Sequence, residues 1–150
     1  MTLEIYTDGS ASPNPGPGGA GAVFVRDDKI VKRLIYKGGN TTNNRMELFA
    51  VIMSLKKYTE YVFPTEKTII YTDSNYVQKG STEWIKNWIK NNWKSSNKQD
   101  VKNKDLWIRL HDLLNKHDSV EIRWIKGHDS NKWNDLADSL AKKGMLSNGN

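Results

Sequence analysis

Two short segments with the same pattern constrain the fold of this 150-residue chain more than any other feature. Ile5-Tyr6-Thr7-Asp8-Gly9-Ser10 and Ile70-Tyr71-Thr72-Asp73-Ser74 each pass from β-branched and aromatic residues to an aspartate and then to small polar residues. Such runs are typical of short strands. Because open α/β sheets form their sites at the carboxyl ends of the strands, the repeat predicts that Asp8 and Asp73 lie side by side there.

Two adjacent carboxylates repel each other and raise each other's pKa unless a positive charge lies between them. A divalent cation would supply that charge, so the pattern predicts a metal-dependent enzyme. The chain contains no cysteine and three histidines, which excludes a disulfide framework and a thiolate metal site. Oxygen ligands favour hard cations, and we therefore expect Mg²⁺, with Mn²⁺ as a substitute.

The length predicts one domain spanning residues 1–150, and we expect its last few residues to be disordered. The N-terminus lacks the basic region and long apolar run of a secretory signal. No stretch reaches the ~20 apolar residues that a membrane span needs. The sequence therefore predicts a cytoplasmic protein without a membrane partner.

The net charge of +6 is concentrated in residues 84–104, here called the basic segment. This segment carries six lysines against one acid, together with Trp84, Trp88 and Trp93. Lysines interleaved with aromatic residues are typical of surfaces that bind nucleic acids. Since the first two tryptophans also have helical spacing with Ile85 and Ile89, the alternative is a solvated helix whose tryptophans belong to the core. Both interpretations hold if the tryptophans anchor the segment and the lysines face solvent.

The remaining pattern predicts an α/β fold with a mixed sheet of five strands flanked by helices. The strands are predicted at residues 3–7, 20–25, 30–36, 68–72 and 120–125. A turn is predicted at residues 13–19, and N-cap candidates at residues 40–43. Helices are predicted at residues 48–55, in two short pieces after the second aspartate, at residues 106–114 and at residues 134–143.

Three further acids are candidates to join Asp8 and Asp73. Glu47 is predicted in the first turn of the first long helix, where an acid also has the ordinary role of interacting with the helix dipole. Asp135 and Asp138 lie one turn apart on the last helix, and either could reach the cluster. A solvated helical face explains both of these residues equally well.

Five short strings occur in order along the chain: Thr7-Asp8-Gly9-Ser10, Asn14-Pro15-Gly16-Pro17-Gly18-Gly19, Thr41-Thr42-Asn43-Asn44-Arg45-Met46-Glu47-Leu48, Thr72-Asp73-Ser74 and Trp124-Ile125-Lys126-Gly127-His128. In this combination and order the chain resembles the bacterial type-one class of ribonuclease H. The resemblance extends over residues 3–143. It implies an endonuclease that hydrolyses the RNA strand of RNA–DNA hybrids by a two-metal-ion mechanism and leaves 5′-phosphate and 3′-hydroxyl ends.

The resemblance also assigns the site. It implies that four carboxylates bind the metal ions: Asp8, Glu47, Asp73 and Asp138. Asp138 is preferred over Asp135 because residues 134–141 match the end of the family pattern only in that register. His128 matches a loop histidine that assists proton transfer or product departure, although the loop after it lacks the family's second glycine.

Nine residues match positions at which the family contacts the hybrid. Asn14, Asn43 and Asn75 are implied to read the minor groove, and Thr42 to bind a DNA-strand phosphate. Trp84 is implied to pack on a deoxyribose, and the basic segment to straddle the duplex through Lys86, Trp88, Lys90 and Lys94. The three asparagines and the threonine also suit turns and helix caps, so both explanations stay open.

Three alternatives compete with this interpretation. One is another nuclease of the same fold, such as a resolvase or integrase core, which the string at residues 41–47 and the basic segment disfavour. Another is a hybrid-binding protein without catalysis, which would gain nothing from four acids where phosphates approach. The third is a domain cut from a reverse transcriptase, whereas Met1 and the complete basic segment favour a free-standing protein, which we expect to be a monomer.

Overall fold

Five strands form one mixed sheet in the computed structural model, which describes residues 2–127 and 131–147. The strands are β1 (Thr2–Ala11), β2 (Gly16–Arg26), β3 (Lys29–Thr41), β4 (Lys67–Thr72) and β5 (Val120–Trp124), in the order β3-β2-β1-β4-β5. The first three are antiparallel neighbours, whereas β4 is parallel to β1 and β5 is parallel to β4. The expected α/β class with a five-stranded mixed sheet is confirmed. His128 and residues 148–150 lie outside the described residues, so the expectations for them are not tested.

The helices are α1 (Asn43–Lys57), α2 (Asn75–Lys79), α3 (Ile85–Lys90), α4 (Lys104–Asn115) and α5 (Lys132–Ser147). A 3₁₀ turn at Tyr58–Glu60 follows α1, and a π-helical turn at Gly80–Trp84 joins α2 to α3. The two short helical pieces expected after Asp73 are therefore one continuous helical stretch. No helix within residues 2–127 and 131–147 combines the length and the apolar character needed to cross a bilayer.

Side-chain caps fix the beginnings of three helices. The Thr42 hydroxyl accepts a hydrogen bond from the Arg45 N–H at 3.2 Å, which confirms an N-cap in the polar stretch before α1. Ser74 caps α2 in the same way. Asn131 Oδ1 accepts from the N–H groups of Trp133 and Asn134 at the beginning of α5. Each cap satisfies backbone donors that the first turn of a helix leaves without a partner.

The two faces of the sheet carry separate cores. On one face α1 and α4 cover the sheet with a cluster whose largest fully buried side chains include Trp107, Phe24, Leu48 and Leu110. On the other face α5 packs on β1, β2 and β3 through Ala137 and Leu140. Helices α1 and α5 therefore approach the middle of the sheet from opposite sides.

Three predicted boundaries are wrong, and all three concern the site. β1 continues to Ala11, so Asp8 lies within the strand and not beyond its end. The antiparallel ladder with β2 runs on from Asp8↔Gly21 to Ala11↔Gly18, so pairing with β2 extends the strand past the aspartate. β2 consequently begins at Gly16, inside the predicted turn. Glu47 is the fifth residue of α1 and lies in its second turn, since the helix begins at Asn43.

Candidate active site

Adjacent parallel strands bring Asp8 and Asp73 together as expected. In the β1–β4 ladder Thr7 is opposite Thr72, and each aspartate is the next residue of its chain. Glu47 reaches the same place from α1. One carboxylate oxygen from each of these three acids lies within 4.8 Å of the others. The repeated strand pattern therefore assembles two ligands, and the first long helix adds the third.

Asp138 joins this cluster from α5. The four acids line one open cleft of about 530 Å³ together with Gly9, Ser10, Asn43, Asn44, Ser74 and Gly127. The carboxyl groups of Glu47 and Asp138 both lie within hydrogen-bonding reach of Asp8. Asp138 also forms an ion pair with Lys142 at 3.0 Å, one turn along the helix. Asp138 lines the cleft, whereas Asp135 is exposed and does not line it.

Glu47 is held by the backbone of β1. The Gly9 N–H donates to its Oε1 at 3.1 Å, whereas its Oε2 is buried without a hydrogen-bond partner in the described part of the chain. The helix and the strand touch here, because a Cβ on Gly9 would lie 2.2 Å from the carbonyl carbon of Met46. Glycine at this position therefore allows α1 to bring Glu47 onto Asp8.

The acids of the cleft shift one another's pKa values strongly. Burial, together with the nearby Asp138 and Asp73, raises the pKa of Asp8 to about 8, although its hydrogen bond with Glu47 acts in the opposite sense. Burial and the charge of Asp8 raise the pKa of Glu47 well above its ordinary value, against the effect of the Gly9 N–H. Clusters of perturbed acids in a cleft are typical of functional sites.

These features fit a divalent cation. Three carboxylates converge, one buried oxygen lacks a partner, and a single lysine, Lys142, pairs with the fourth acid. Buried acceptors are normally paired or bind metals, and all the donors here are oxygens, which Mg²⁺ and Mn²⁺ prefer. The residues that would hold the metal are Asp8, Glu47, Asp73 and Asp138.

We expect Gly9→Ala to lower the free energy of unfolding by about 3 kcal/mol, because the new methyl group would overlap the backbone of α1. Urea denaturation measures this loss. Gly39→Ala is the matched control, since that glycine has φ +66° and no neighbour within 4 Å of an added Cβ. It should lose about 1 kcal/mol from backbone strain alone. Equal losses in both variants would contradict the close approach at Gly9.

The polar residues implied to read the hybrid lie beside the cleft. Asn14 Oδ1 accepts from the Asn43 N–H at 3.1 Å, and Asn43 Oδ1 accepts from the Ala11 N–H at 2.6 Å. Both residues therefore have the local structural roles that the sequence left open, and both line a cavity of about 330 Å³. This cavity is lined by Asn14, Pro15, Thr42, Asn43, Asn44, Lys102 and Asn103. Asn75 is exposed at the beginning of α2.

The basic segment has the arrangement that is compatible with both sequence interpretations, with packed tryptophans and exposed lysines. Trp88 and Trp93 pack partly buried against the α1–α4 core, and Trp84 contacts Trp88 while remaining 38% exposed. Lys86, Lys90 and Lys94 are exposed. Lys94 is ion-paired with Asp100 at 2.6 Å, so part of the positive charge in the segment is already balanced.

Sequence reasoning missed several residues that shape this region. In the sequence Gly9 is only a small residue after Asp8, and nothing there indicates that its N–H binds Glu47. Arg45 lies in the string at residues 41–48, but its partner Asp105 is 60 positions away, so the pattern around Arg45 does not predict this ion pair. The Trp124 indole N–H donates to the Asp73 carbonyl at 3.0 Å and fixes the end of β4. Only the strings themselves pointed to Gly9, Arg45 and Trp124.

Comparison with known proteins agrees with this site. The sequence model of the RNase H family matches residues 1–146. Ribonuclease H of Orientia tsutsugamushi is 49% identical over 146 residues, which are 97% of this chain and 83% of that protein. Ribonuclease H of Chromobacterium violaceum is 48% identical over 145 residues, which are 97% of this chain and 95% of that protein.

A solved structure shows the same fold. The foamy viral protease-reverse transcriptase in complex with RNA/DNA hybrid is similar with a TM-score of 0.84 and 27% sequence identity. The match covers 97% of this chain and 20% of the viral chain, so this chain corresponds to one fifth of that protein.

Proposed function

Because this chain belongs to the ribonuclease H family, we propose that it hydrolyses the RNA strand of RNA–DNA hybrids at the cleft formed by Asp8, Glu47, Asp73 and Asp138. Enzymes of this family are divalent-metal-dependent endoribonucleases. The single observation that carries the assignment of the site is the convergence of Asp8, Glu47 and Asp73 within 4.8 Å, with Asp138 in the same cleft.

The chain's own residues prepare the cleft for a phosphodiester. Divalent cations bound there, which we propose to be two Mg²⁺ ions replaceable by Mn²⁺, would lower the pKa of a water molecule and stabilise charge on the leaving 3′-oxygen. Asp8 lies at the centre of the cluster, within reach of both Glu47 and Asp138. Gly9 and Trp124 orient the cluster by holding Glu47 and the backbone of Asp73. If water attacks the phosphorus and the P–O3′ bond breaks, the departing oxygen takes up a proton as a 3′-hydroxyl and the phosphate stays on the 5′ side, so we propose 5′-phosphate and 3′-hydroxyl ends.

The neighbouring surface would select the hybrid. Asn14, Asn43 and Asn75 offer amide groups beside the cleft, and Thr42 lies in the same cavity as Lys102. RNA is distinguished from DNA by its 2′-hydroxyl, which such short polar side chains can bind. The exposed Trp84 offers an apolar face to the deoxyribose of the other strand. His128 is proposed to assist proton transfer or product departure from its loop.

The test is cleavage of end-labelled RNA–DNA, RNA–RNA and DNA–DNA duplexes, and of DNA with one ribonucleotide, with Mg²⁺, with Mn²⁺ and with chelator. Metal-dependent cutting of the RNA strand in the hybrid is the expected result. Binding of the hybrid without cutting under every metal condition would instead support a binding protein without catalysis. Cutting of DNA duplexes would support another nuclease of the same fold.

Neutralising two lysines of the basic segment should weaken binding in a salt-dependent way. We expect Lys86→Gln with Lys90→Gln to reduce the slope of log K against log salt by about 1.5 to 2, because each phosphate contact contributes nearly one unit. Fluorescence anisotropy with a labelled hybrid in chelator measures this slope. Lys94→Gln should change it less, since Lys94 already pairs with Asp100.

The matched control for this pair removes the same charge elsewhere. Lys56→Gln with Lys116→Gln neutralises two exposed lysines, at the carboxyl end of α1 and just after α4. An equal change of slope in this control would mean that the effect comes from net charge and not from the basic segment.

A monomeric state and a cytoplasmic location stay predictions from the sequence.

A further inference from the structure

Tyr76 follows the cleft-lining residues Asp73 and Ser74 in the chain and contacts the basic segment, but it does not itself line the cleft. It is the second residue of α2, three positions after Asp73, and its half-buried ring meets Trp107 at 5.3 Å between centroids. Its hydroxyl oxygen accepts two hydrogen bonds, from Asn103 Nδ2 at 3.1 Å and from Trp107 Nε1 at 2.9 Å. One atom therefore satisfies two side-chain donors from the region around α4.

Both ends of the basic segment meet this residue. At the beginning of the segment, the ring of Trp84 lies edge-on to Tyr76 with the centroids 6.0 Å apart. Near its end, Asn103 donates to the Tyr76 hydroxyl. Between them the segment closes on itself through the bridge between Lys94 and Asp100. Tyr76 thus joins the two points from which the segment projects.

Asn103 continues the connection to α1. It adopts the left-handed conformation, with φ 61°, as the N-cap residue of α4, and its Oδ1 accepts from Arg45 Nη1 at 3.3 Å. The Arg45 guanidinium is fixed by two hydrogen bonds to Asp105 at 2.9 and 2.7 Å. Arg45 lies in the first turn of α1, where its backbone N–H is capped by Thr42. A continuous set of side-chain bonds therefore leads from the basic segment to the helix that carries Glu47.

We propose that Tyr76 is a positioning residue whose hydroxyl holds both ends of the basic segment against α1. It thereby sets where the segment presents Trp84 and its lysines relative to the cleft. This inference rests on the proposed binding of the hybrid by the basic segment. Loss of the hydroxyl leaves the four acids untouched, so it acts on binding of the duplex and not on the chemical step.

Tyr76→Phe is the direct test, because it keeps the ring contacts and removes only the oxygen. The dissociation constant of an RNA–DNA hybrid is measured by anisotropy in chelator, and kcat and KM are measured with Mg²⁺. We expect Kd and KM to rise about three- to tenfold, as for the loss of one net hydrogen bond, with kcat within about twofold of wild type.

Tyr71→Phe is the matched control. It removes a hydroxyl that donates to Glu4 at 3.2 Å, and its ring stacks on Tyr6 in the core beneath α5, on the opposite face of the sheet. Its Kd and KM should equal those of wild type, even where thermal melts show a similar loss of stability. A rise in KM for both variants would mean that general loosening of the fold, and not the position of the basic segment, is responsible.

A double-mutant cycle separates positioning from a merely structural role. In a background of Lys86→Gln with Lys90→Gln, Tyr76→Phe should raise Kd less than it does in the wild type, because part of its effect acts through the two lysines that are already lost. Additive effects, or a fall in kcat with KM unchanged, would overturn the positioning role alone. A wild-type Kd for the two-lysine variant would overturn the proposed binding role of the segment, and this inference with it.

Thermal melts of Tyr76→Phe set the assay temperature, because the loss of one net hydrogen bond lowers the melting temperature by only about 2–4 °C. All variants are compared at a temperature at which each of them is folded. A rise in Kd that disappears on cooling would come from partial unfolding and would overturn the positioning role.

Discussion

We expect Asp8→Asn to slow hybrid cleavage about a thousandfold or more, as is typical when a central catalytic group is removed. The substitution keeps the shape of the side chain and removes the charge at the centre of the acid cluster. Asp8 is buried within the acid cluster, where a neutral amide cannot supply the negative charge of the carboxylate that it replaces. Cleavage of a labelled hybrid under single-turnover conditions with Mg²⁺ measures the loss.

The same variant should be more stable than wild type when metal is absent. Burial raises the pKa of Asp8 to about 8, so the folded protein binds a proton that the unfolded chain releases near pH 4. Stability of the wild type in chelator therefore falls as pH rises from about 4 to 8, whereas Asp8→Asn escapes this loss. Above pH 8 we expect its melting temperature to exceed that of wild type by about 5 °C.

Asp135→Asn is the control for this prediction. Asp135 is an exposed acid on the same helix as Asp138 and does not line the cleft. Its cleavage rate should stay within about twofold of wild type, since an exposed surface substitution usually has little effect. If Asp8→Asn retained a tenth of the wild-type rate, or if Asp135→Asn lost as much activity as Asp8→Asn, the assignment of the carboxylates would be wrong.

The second large effect concerns stability and lies away from the cleft. Glu66→Ala should lower the free energy of unfolding by about 3 kcal/mol, because it leaves a largely buried arginine without its partner. Arg26 donates to Glu66 through Nε at 2.6 Å and through Nη2 at 2.5 Å, and its Nη2 also donates to the Tyr61 carbonyl. The guanidinium lies 4.2 Å from the centroid of the Phe63 ring.

The pH dependence of this pair has a definite sign. Arg26 lowers the pKa of Glu66, so the pair stabilises the fold above the unfolded pKa of about 4.3 and loses this contribution as the carboxyl protonates at lower pH. The difference in unfolding free energy between wild type and Glu66→Gln should therefore be full at pH 7 and should shrink below about pH 4. Urea denaturation across this range measures it.

An exposed pair serves as the control for burial. Glu121 and Arg123 on β5 form a comparable ion pair at 2.9 Å, but both side chains are 45% exposed. Glu121→Ala should therefore lower stability much less than Glu66→Ala does. Similar losses for Glu66→Ala and Glu121→Ala would show that burial of the Arg26–Glu66 pair contributes nothing.

The sequence pattern predicted those elements of the fold that depend on interactions between residues close together in the chain. The helix at residues 48–55 and the strand at residues 68–72 follow from the pattern of apolar residues, and an N-cap within residues 40–43 follows from cap preference, because those signals act within a few residues. The structure selects Thr42 among these candidates. The adjacency of Asp8 and Asp73 was also predictable from the repeated pattern, and β1 and β4 are indeed parallel neighbours in which Thr7 is opposite Thr72. The inclusion of Glu47 and Asp138 required the resemblance to a family, because their spacing has ordinary helical explanations.

Contacts between distant parts of the chain were not predictable from any one segment. Arg26 and Glu66 are 40 positions apart, and nothing near either residue marks it as a partner. Lys94 belongs to a run of lysines, yet its charge is balanced by Asp100 once the segment folds back. Nothing in the sequence distinguishes Tyr76 from the other aromatic residues. Only in the folded chain do Asn103 and Trp107 donate hydrogen bonds to its hydroxyl oxygen.

The sequence by itself determined the sheet class, the order of its elements and the two aspartates on neighbouring strands, because propensity and periodicity depend on near neighbours. Only the tertiary structure decided that β1 continues past Asp8, since its last residues pair with Gly18–Gly21 of another strand. It also decided that α1 touches that strand at Gly9, where the missing side chain lets Glu47 reach Asp8. The site depends on these contacts because a cluster of acids is created by packing and not by spacing along the chain.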